Sequence, residues 1–154
     1  MKIRIGKADR ILNILCLIIM VGMVLFLAAV WFEIPDKIPM HYGFDGTIDR
    51  WGAKSEIIIM PVVTGGMYIF LTFIERVPQI WNIGVEVTKE NKERIYSLVL
   101  HLISTIKFIV ICIFTYLSVK IAIGGGLPAW FLPVVLLVTF GDIFYWSLKL
   151  WKAK

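Results

Sequence analysis

Four long apolar runs dominate the sequence, and polar segments separate them. The runs cover residues 11–32, 57–74, 97–123 and 127–150. A helix needs about 20 apolar residues to cross roughly 30 Å of hydrocarbon, and each run is close to that length or longer. The pattern therefore predicts an all-α integral membrane protein with a single domain, residues 1–154, and four transmembrane helices.

The composition agrees with a membrane protein. Hydrophobic residues make up 59% of the chain and the mean hydropathy is +0.84, whereas soluble domains are about 45–50% apolar. The net charge is +5, but the basic residues lie at the ends of the apolar runs, which is typical of membrane orientation and not of a nucleic-acid groove. We expect a multi-pass protein of the cell membrane that contacts the lipid bilayer and no nucleic acid.

The distribution of Lys and Arg predicts the orientation of the helices, because cytoplasmic loops carry an excess of these residues. One side has eleven of them: Lys2, Arg4, Lys7, Arg10, Arg76, Lys89, Lys92, Arg94, Lys149, Lys152 and Lys154. The other side has four: Lys37, Arg50, Lys54 and Lys120. Both ends of the chain are therefore predicted to lie in the cytoplasm, and the loop between the first two helices is predicted to be extracytoplasmic.

That outer loop, residues 33–56, is unlike the rest of the chain. Prolines, glycines and aspartates recur in it, and these residues favour turns and extended backbone over helix. The sequence therefore predicts an ordered, non-helical loop. The candidate residues for binding a ligand or for shaping the loop are Pro35, Asp36, Pro39, His41, Asp45, Gly46, Asp49, Trp51, Gly52 and Lys54.

Two interpretations of His41, Asp45 and Asp49 compete. In the first, they surround a cation and form the centre of a small metal-dependent enzyme at the membrane surface. In the second, the two carboxylates accept hydrogen bonds from the backbone of turns and the histidine packs against tryptophans. No activated nucleophile is evident beside the histidine. We favour the second interpretation, and we expect no enzymatic activity, no metal and no cofactor.

Lys107 is the most unusual residue within the apolar runs. A cation inside a transmembrane helix is costly unless it is paired or hydrated. Counting residues from the helix ends puts Asp142 on the antiparallel fourth helix within reach of it, and His101 lies nearer the surface. The pair either fixes the contact between two helices or forms part of an ion or small-molecule transporter, which with four helices per chain would require an oligomer.

The outer loop resembles a known signature. Its residues Trp31, Pro35, Asp36, Ile38, Pro39, His41, Gly46, Asp49, Trp51, Gly52 and Lys54 are similar to those of a bacterial membrane domain of unknown function, shared with the N-terminal part of SdpI-type immunity proteins. The likeness continues in the predicted cytoplasmic loop and third helix, where it is carried by Pro78, Asn82, Thr88, Glu90, Asn91, Arg94, Tyr96, Lys107 and Tyr116.

The resemblance implies a non-enzymatic bacterial protein that gives immunity to antimicrobial peptides or senses them through its outer loop. It also implies candidate partners: a toxin peptide, a transcription regulator that is held at the membrane, or an ABC transporter. These roles are expectations from the resemblance, and the metal-dependent enzyme and the transporter are the alternatives to them.

Overall fold

The computed structural model describes residues 5–153, so three of the basic residues used for the orientation, Lys2, Arg4 and Lys154, lie outside the described part. Four long helices and one β hairpin follow each other along the chain. They are α1 (Lys7–Ala29), β1 (Lys37–Tyr42), β2 (Ile48–Ala53), α2 (Ile59–Arg76), α3 (Lys92–Ala122) and α4 (Phe131–Trp151). Short 3-10 turns at Lys54–Ile58 and Pro78–Ile80 precede and follow α2.

All four helices are long and apolar enough to cross a membrane. The structure is thus mostly helical, and these helices indicate a multi-pass membrane protein. α3 has 31 residues, which at 1.5 Å per residue is about 46 Å, so it extends beyond a hydrocarbon layer of roughly 30 Å.

The helix ends differ by a few residues from the ends of the apolar runs. α3 begins at Lys92 and not near residue 97, because the polar residues ahead of the apolar run are already helical. α4 begins at Phe131 and not near residue 127. The backbone turns at Gly124, where φ is +72°, and the chain from Pro128 to Trp130 closes a further turn before the helix starts.

α3 is the central helix of the bundle. It packs against α1, α2 and α4, whereas α1 and α2 touch each other only lightly and α4 packs chiefly on α3. The apolar residues Ile95, Ile111 and Ile121 along α3 are buried. In a membrane, the helix faces that do not touch protein meet lipid, so α3 is apolar around most of its surface and has no single polar face.

The segment predicted to be a non-helical loop folds as a β hairpin. Its two antiparallel strands pair Ile38 with Gly52 and Tyr42 with Ile48, and the register shifts on both sides of His41. One face of the hairpin covers the end of the bundle through a buried cluster. The cluster consists of Met23, Leu27, Ile34, Ile38, Ile57, Ile121 and Ala122.

A second buried cluster closes the opposite end of the bundle. There the first turns of α3 meet the end of α4 through Ile95, Val99, Leu150 and Ala153. Partly buried residues of the segment 77–91, including Trp81 and Val85, pack on this cluster. The connections therefore lie at two ends: the hairpin and the α3–α4 turn at one, the 77–91 segment and the last turn of α4 at the other.

Candidate functional site

The tip of the hairpin is a tight turn held by Asp45. The backbone N–H of Gly43 donates to the Thr47 carbonyl (2.8 Å) and that of Gly46 donates to the Gly43 carbonyl (2.9 Å). Asp45 Oδ1 accepts from the backbone N–H (3.1 Å) and the hydroxyl (2.7 Å) of Thr47. These two hydrogen bonds, from the hydroxyl first and the amide second, lower the pKa of Asp45. Its carboxylate therefore shapes the turn.

The turn is docked onto the connection between α3 and α4. The backbone N–H of Leu127 donates to the Gly46 carbonyl (3.0 Å), and the Tyr42 hydroxyl donates to the Gly125 carbonyl (3.3 Å). Gly46 has a φ of +82°, and a Cβ atom built there would lie 2.3 Å from the Leu127 carbonyl oxygen. Only glycine allows this approach.

Tyr42 is partly buried behind this contact. Burial, and secondarily the neighbouring Tyr116, raises the pKa of Tyr42 to about 12. The phenol therefore stays neutral and remains a hydrogen-bond donor toward the α3–α4 connection throughout the physiological range.

An open cleft of about 320 Å³ lies between the hairpin and the start of α4. On the side of α4 it is lined by apolar residues, among them Leu127, Pro128, Phe131 and Leu132. On the hairpin side it is bounded by His41, Asp49 and the ring of Phe44, which is 95% exposed. This size is at the lower end of the range for small-molecule and side-chain pockets.

The structure brings His41 and Asp49 together but not Asp45. His41 Nδ1 lies 2.7 Å from Asp49 Oδ1, and both side chains are largely exposed. Asp45 is instead bonded to Thr47 in the turn. Within residues 5–153 no group of three His, Cys, Asp or Glu side chains could hold a metal ion. A three-residue cation centre at His41, Asp45 and Asp49 is therefore not formed.

The other candidate residues of the outer loop are structural or lie at its surface. Pro39 is buried in β1, and Gly52 lies so close to Met40 and Glu56 that a Cβ would come within 2.6 Å of both side chains. Trp51 is about half exposed.

The beginning and end of the hairpin are tied together by the backbone. The N–H of Lys54 donates to the Asp36 carbonyl (2.9 Å). The Lys54 ammonium lies 5.0 Å from the centre of the Trp31 ring, which is a cation–π distance. Pro35 is exposed at the start of the hairpin.

The hairpin belongs to a segment that matches a known protein family. Residues 18–65 match the family model of a domain of unknown function, DUF1648. The match covers about a third of the chain: the second half of α1, the whole hairpin and the first turns of α2. No curated protein and no solved structure is detectably similar to the chain. DUF1648 carries no assigned activity, so the match identifies the hairpin and the adjoining parts of α1 and α2 as a known domain and leaves its role open.

The candidate residues of the 77–91 segment and its junction with α3 lie outside the DUF1648 segment. Pro78 is buried at the start of a 3-10 turn, whereas Asn82 is exposed. Asn91 Oδ1 accepts from the backbone N–H three residues earlier (2.8 Å), just before α3 begins. Arg94 donates to the Lys152 carbonyl at 3.5 Å. Pro78 and Asn91 therefore shape the segment, and Arg94 joins the first turn of α3 to the end of α4.

Lys107 is fully buried, and its partner is Glu75. The Lys107 ammonium donates to Glu75 Oε2 (2.6 Å), to Asn13 Oδ1 (2.6 Å) and to the Thr72 hydroxyl (3.2 Å). Glu75 Oε1 accepts from the Ser104 hydroxyl (2.8 Å). This ion pair therefore joins α1, α2 and α3, with its charges hydrogen-bonded as a low-dielectric site requires.

The pairing of Lys107 with Asp142 considered from the sequence is wrong. Asp142 accepts from the Thr105 hydroxyl (2.8 Å) and from Trp146 Nε1 (3.0 Å). Residues two apart on a helix point about 200° apart, so Thr105 faces α4 while Lys107 faces α1 and α2. Counting depth along antiparallel helices placed the two charges at comparable levels but could not assign their faces.

His101 belongs to the same group of polar side chains inside the bundle, which we call the polar layer, and it contacts α1 and α4. Its Nδ1 lies 2.5 Å from Asp9 Oδ1 on α1, and its ring meets the Trp146 ring edge-on at 4.6 Å. The second oxygen of Asp9 accepts from the backbone N–H of Gly6 at the start of α1 (3.0 Å). Both carboxylate oxygens of the buried Asp9 therefore have a hydrogen-bond partner.

Sequence reasoning missed most members of this layer, and helix periodicity is the signal that could have found them. The layer's polar residues recur at spacings of three or four, which places each pair on α1, α2 and α4 on one face of its helix. On α3 they form two such pairs on different faces, His101 with Thr105 and Ser104 with Lys107. The sets are Asp9 and Asn13 on α1, Thr72 and Glu75 on α2, His101, Ser104, Thr105 and Lys107 on α3, and Asp142 and Trp146 on α4.

The polar layer occupies only one end of the bundle. Beyond Lys107, toward the hairpin, most buried positions are filled by apolar side chains such as Cys16, Met23 and Ile111, and the buried hydroxyls of Thr64 and Ser118 donate to carbonyls of their own helices. A transport path would need polar groups or water along the whole crossing. The arrangement of the described residues favours a role for the layer in holding the helices together, and nothing in it supports the transporter alternative.

Proposed function

We propose that this chain is a non-enzymatic protein of a bacterial cell membrane that recognises a cationic antimicrobial peptide with its hairpin face, in immunity to the peptide or in sensing it. The single observation that carries the proposal is the cleft between the hairpin and α4. Most of its lining residues are apolar, they include the exposed ring of Phe44, and Asp49 contributes a carboxylate to the lining. An amphipathic cation fits these surroundings better than a polar or acidic ligand.

The charge of the hairpin region supports a cationic ligand. Although the chain is basic as a whole, acidic residues outnumber basic ones between residues 33 and 56. The acidic residues are Glu33, Asp36, Asp45, Asp49 and Glu56, and the basic residues are Lys37, Arg50 and Lys54. Complementary charge raises the rate of encounter and disfavours wrong partners.

The proposed orientation puts this face outside the cell. The hairpin and the α3–α4 turn occupy the end of the bundle with few basic residues, while the 77–91 segment and the end of α4 occupy the basic end. The positive-inside bias assigns the basic end to the cytoplasm. There the 77–91 segment is our candidate contact for a transcription regulator or an ABC transporter.

We also propose that His41 has no catalytic role. His41 has a carboxylate at Nδ1, as a general base often does. However, the hydroxyl nearest in the turn, that of Thr47, donates to Asp45. Among the described residues, no hydroxyl or thiol is hydrogen-bonded to His41, so this histidine is better suited to hydrogen-bonding a ligand.

The resemblance to the N-terminal part of SdpI-type immunity proteins points the same way, and the DUF1648 match covers the residues that carry its outer-loop signature. The family match does not itself extend to immunity, so this step depends on the resemblance and on the chemistry of the cleft.

Two equally exposed phenylalanines allow a matched test. Phe44 (95% exposed) borders the cleft, and Phe32 (93% exposed) lies outside it between α1 and β1. Purified protein in lipid nanodiscs is titrated with a synthetic amphipathic peptide of Leu and Lys. We expect Phe44→Ala to weaken binding by about tenfold, as for an aromatic anchor, and Phe32→Ala to leave it unchanged.

Protection of cells provides the second measurement. Cells that express the protein should survive a higher concentration of the same peptide, and the Phe44→Ala variant should lose that protection while Phe32→Ala keeps it. The proposal fails if the wild-type protein neither binds the peptide nor changes survival, or if the two variants behave alike.

A further inference from the structure

Three exposed cations lie together at the end of the bundle opposite the hairpin. We call Arg94, Lys149 and Lys152 the basic edge. The end of α4 and the first turns of α3 are joined there by the buried cluster of Ile95, Val99, Leu150 and Ala153. The hydrogen bond from Arg94 to the Lys152 carbonyl spans the same junction. The three cations therefore belong to one surface although they come from two helices.

Acidic side chains do not neutralise the basic edge. Within residues 5–153, the ion pairs are His41 with Asp49, His101 with Asp9, and Lys107 with Glu75. The carboxylate of Asp142, the acidic residue of α4, accepts hydrogen bonds from Thr105 and Trp146. Glu90 and Glu93 precede Arg94 on the chain but lie beyond ion-pair distance from the basic edge. The positive charge there remains available to an anion.

Lys149 is held in place by aromatic rings. Its ammonium lies 5.0 Å from the centre of the Tyr145 ring and 5.5 Å from that of Trp146. The Trp146 ring is itself fixed by its hydrogen bond to Asp142 and by its edge contact with His101. An ammonium on a fixed platform loses less side-chain entropy on binding an anion than a free surface lysine does.

An apolar strip leads away from the basic edge along α4. Phe144 and Leu148 are exposed and lie four residues apart, and Lys152 follows after four more. Residues at this spacing share one face of a helix. A cationic end that continues into an apolar strip matches a molecule with an anionic head and an apolar tail.

We propose that the basic edge binds the phosphate of an anionic phospholipid, whose acyl chain lies along Phe144 and Leu148. The phosphate oxygens accept from Arg94 and from the ammonium groups of Lys149 and Lys152. Basic groups at the ends of transmembrane helices attract anionic lipids in this way. The site is separate from the hairpin cleft and does not depend on the function proposed for it.

Native mass spectrometry of the purified protein measures the lipid that stays bound. The protein is loaded with equal amounts of phosphatidylglycerol and phosphatidylcholine. We expect phosphatidylglycerol to be retained preferentially, and the Lys149→Gln change to reduce its retention by about fivefold, in keeping with one juxtamembrane cation. Lys149→Arg should keep the preference, which separates loss of charge from loss of packing.

Lys54→Gln is the matched control. Lys54 also lies over an indole, that of Trp31 at 5.0 Å, but at the other end of the bundle and among acidic residues. We expect this change to leave phosphatidylglycerol retention unaltered. Thermal unfolding in phosphatidylcholine alone checks that both variants are folded.

Three outcomes would overturn the inference. The first is equal retention of phosphatidylglycerol by the wild type and Lys149→Gln. The second is an equal loss in Lys54→Gln, which would mean attraction by net charge only. The third is displacement of the lipid by millimolar inorganic phosphate, which would mean a site for small anions and not for an amphiphile.

Discussion

The two ends of the helical bundle are held together by different chemistry. At the hairpin end, a buried apolar cluster and backbone hydrogen bonds, such as that between Leu127 and the Gly46 carbonyl, hold the hairpin on the helices, and polar side chains such as those of His41 and Asp49 face outward. At the opposite end, polar side chains of all four helices bond to one another inside the bundle, with Lys107 and Asp9 fully or almost fully buried.

This difference assigns separate roles to the two ends under the proposed function: the hairpin end recognises a ligand and the polar layer holds the helices together. A surface whose shape is fixed by its backbone leaves its side chains free for a ligand, whereas a buried side-chain network fixes which helix faces meet. Under the function proposed above, sequence changes at the hairpin end should therefore alter ligand binding, whereas changes in the polar layer should alter the assembly of helices.

The largest effect is expected in the polar layer. Replacing Lys107 with Met leaves the Glu75 carboxylate buried without a cation. Breaking one partner of a buried pair costs about 3 kcal/mol or more, so the free energy of unfolding should fall by about that amount. Unfolding in mild detergent, followed by circular dichroism and tryptophan fluorescence, measures this change.

The double change Lys107→Met with Glu75→Met tests the reason for that loss. It removes both charges together, and we expect it to recover most of the stability, because a buried pair can often be replaced by apolar residues. A double variant as unstable as Lys107→Met would show that the loss came from packing against Asn13 and Thr72, and not from an unpaired charge.

A smaller effect is expected at the hairpin, where the contact is made by the backbone. In Gly46→Ala the new Cβ would clash with the Leu127 carbonyl oxygen at 2.3 Å, and the residue would also keep a positive φ. We expect the hairpin to detach from the α3–α4 turn. Hydrogen exchange should then become faster at the Leu127 amide and in both strands, while the polar layer stays protected.

Gly84→Ala is the control for backbone strain alone. Gly84 has a φ of +68°, but no atom lies within 4 Å of the place its Cβ would take. This change should cost roughly 1 kcal/mol locally and leave the hairpin's exchange unaltered. Equal exchange of the hairpin in the two variants would contradict the docking role of Gly46.

The four helices could be predicted because the length of an apolar run is a local property. The run in α3, for example, is long enough to span a membrane whatever it packs against. The polarity and turn residues around Gly43 and Gly46 likewise predicted a non-helical segment, although the strands of the hairpin were not predicted.

The contacts between these elements could not be predicted, because they depend on the rotation of each helix about its axis and on residues that lie far apart in the chain. Glu75 lies in the last turn of α2, where an acidic residue is ordinary, and only the facing of α2 toward Lys107 makes it half of an ion pair. The contact of Gly46 with Leu127 joins positions far apart in the chain. Residue depth along a helix was therefore a poor guide to contacts without knowledge of helix faces.

The smallest effect is expected from neutralising the exposed carboxylate of Asp45, because the hairpin end depends little on charge. Its pKa is lowered by the hydroxyl and the amide of Thr47, so the ionised form stabilises the folded turn. That contribution is complete above the ordinary carboxyl pKa of about 3.9 and is lost as the pH falls through the lower, folded-state value. At neutral pH, the Thr47 amide should therefore exchange more slowly in the wild type than in Asp45→Asn. This difference should disappear only in the acidic range, where Asp45 becomes protonated. If the difference between the two proteins were already lost at neutral pH, the carboxylate would not be what holds the turn.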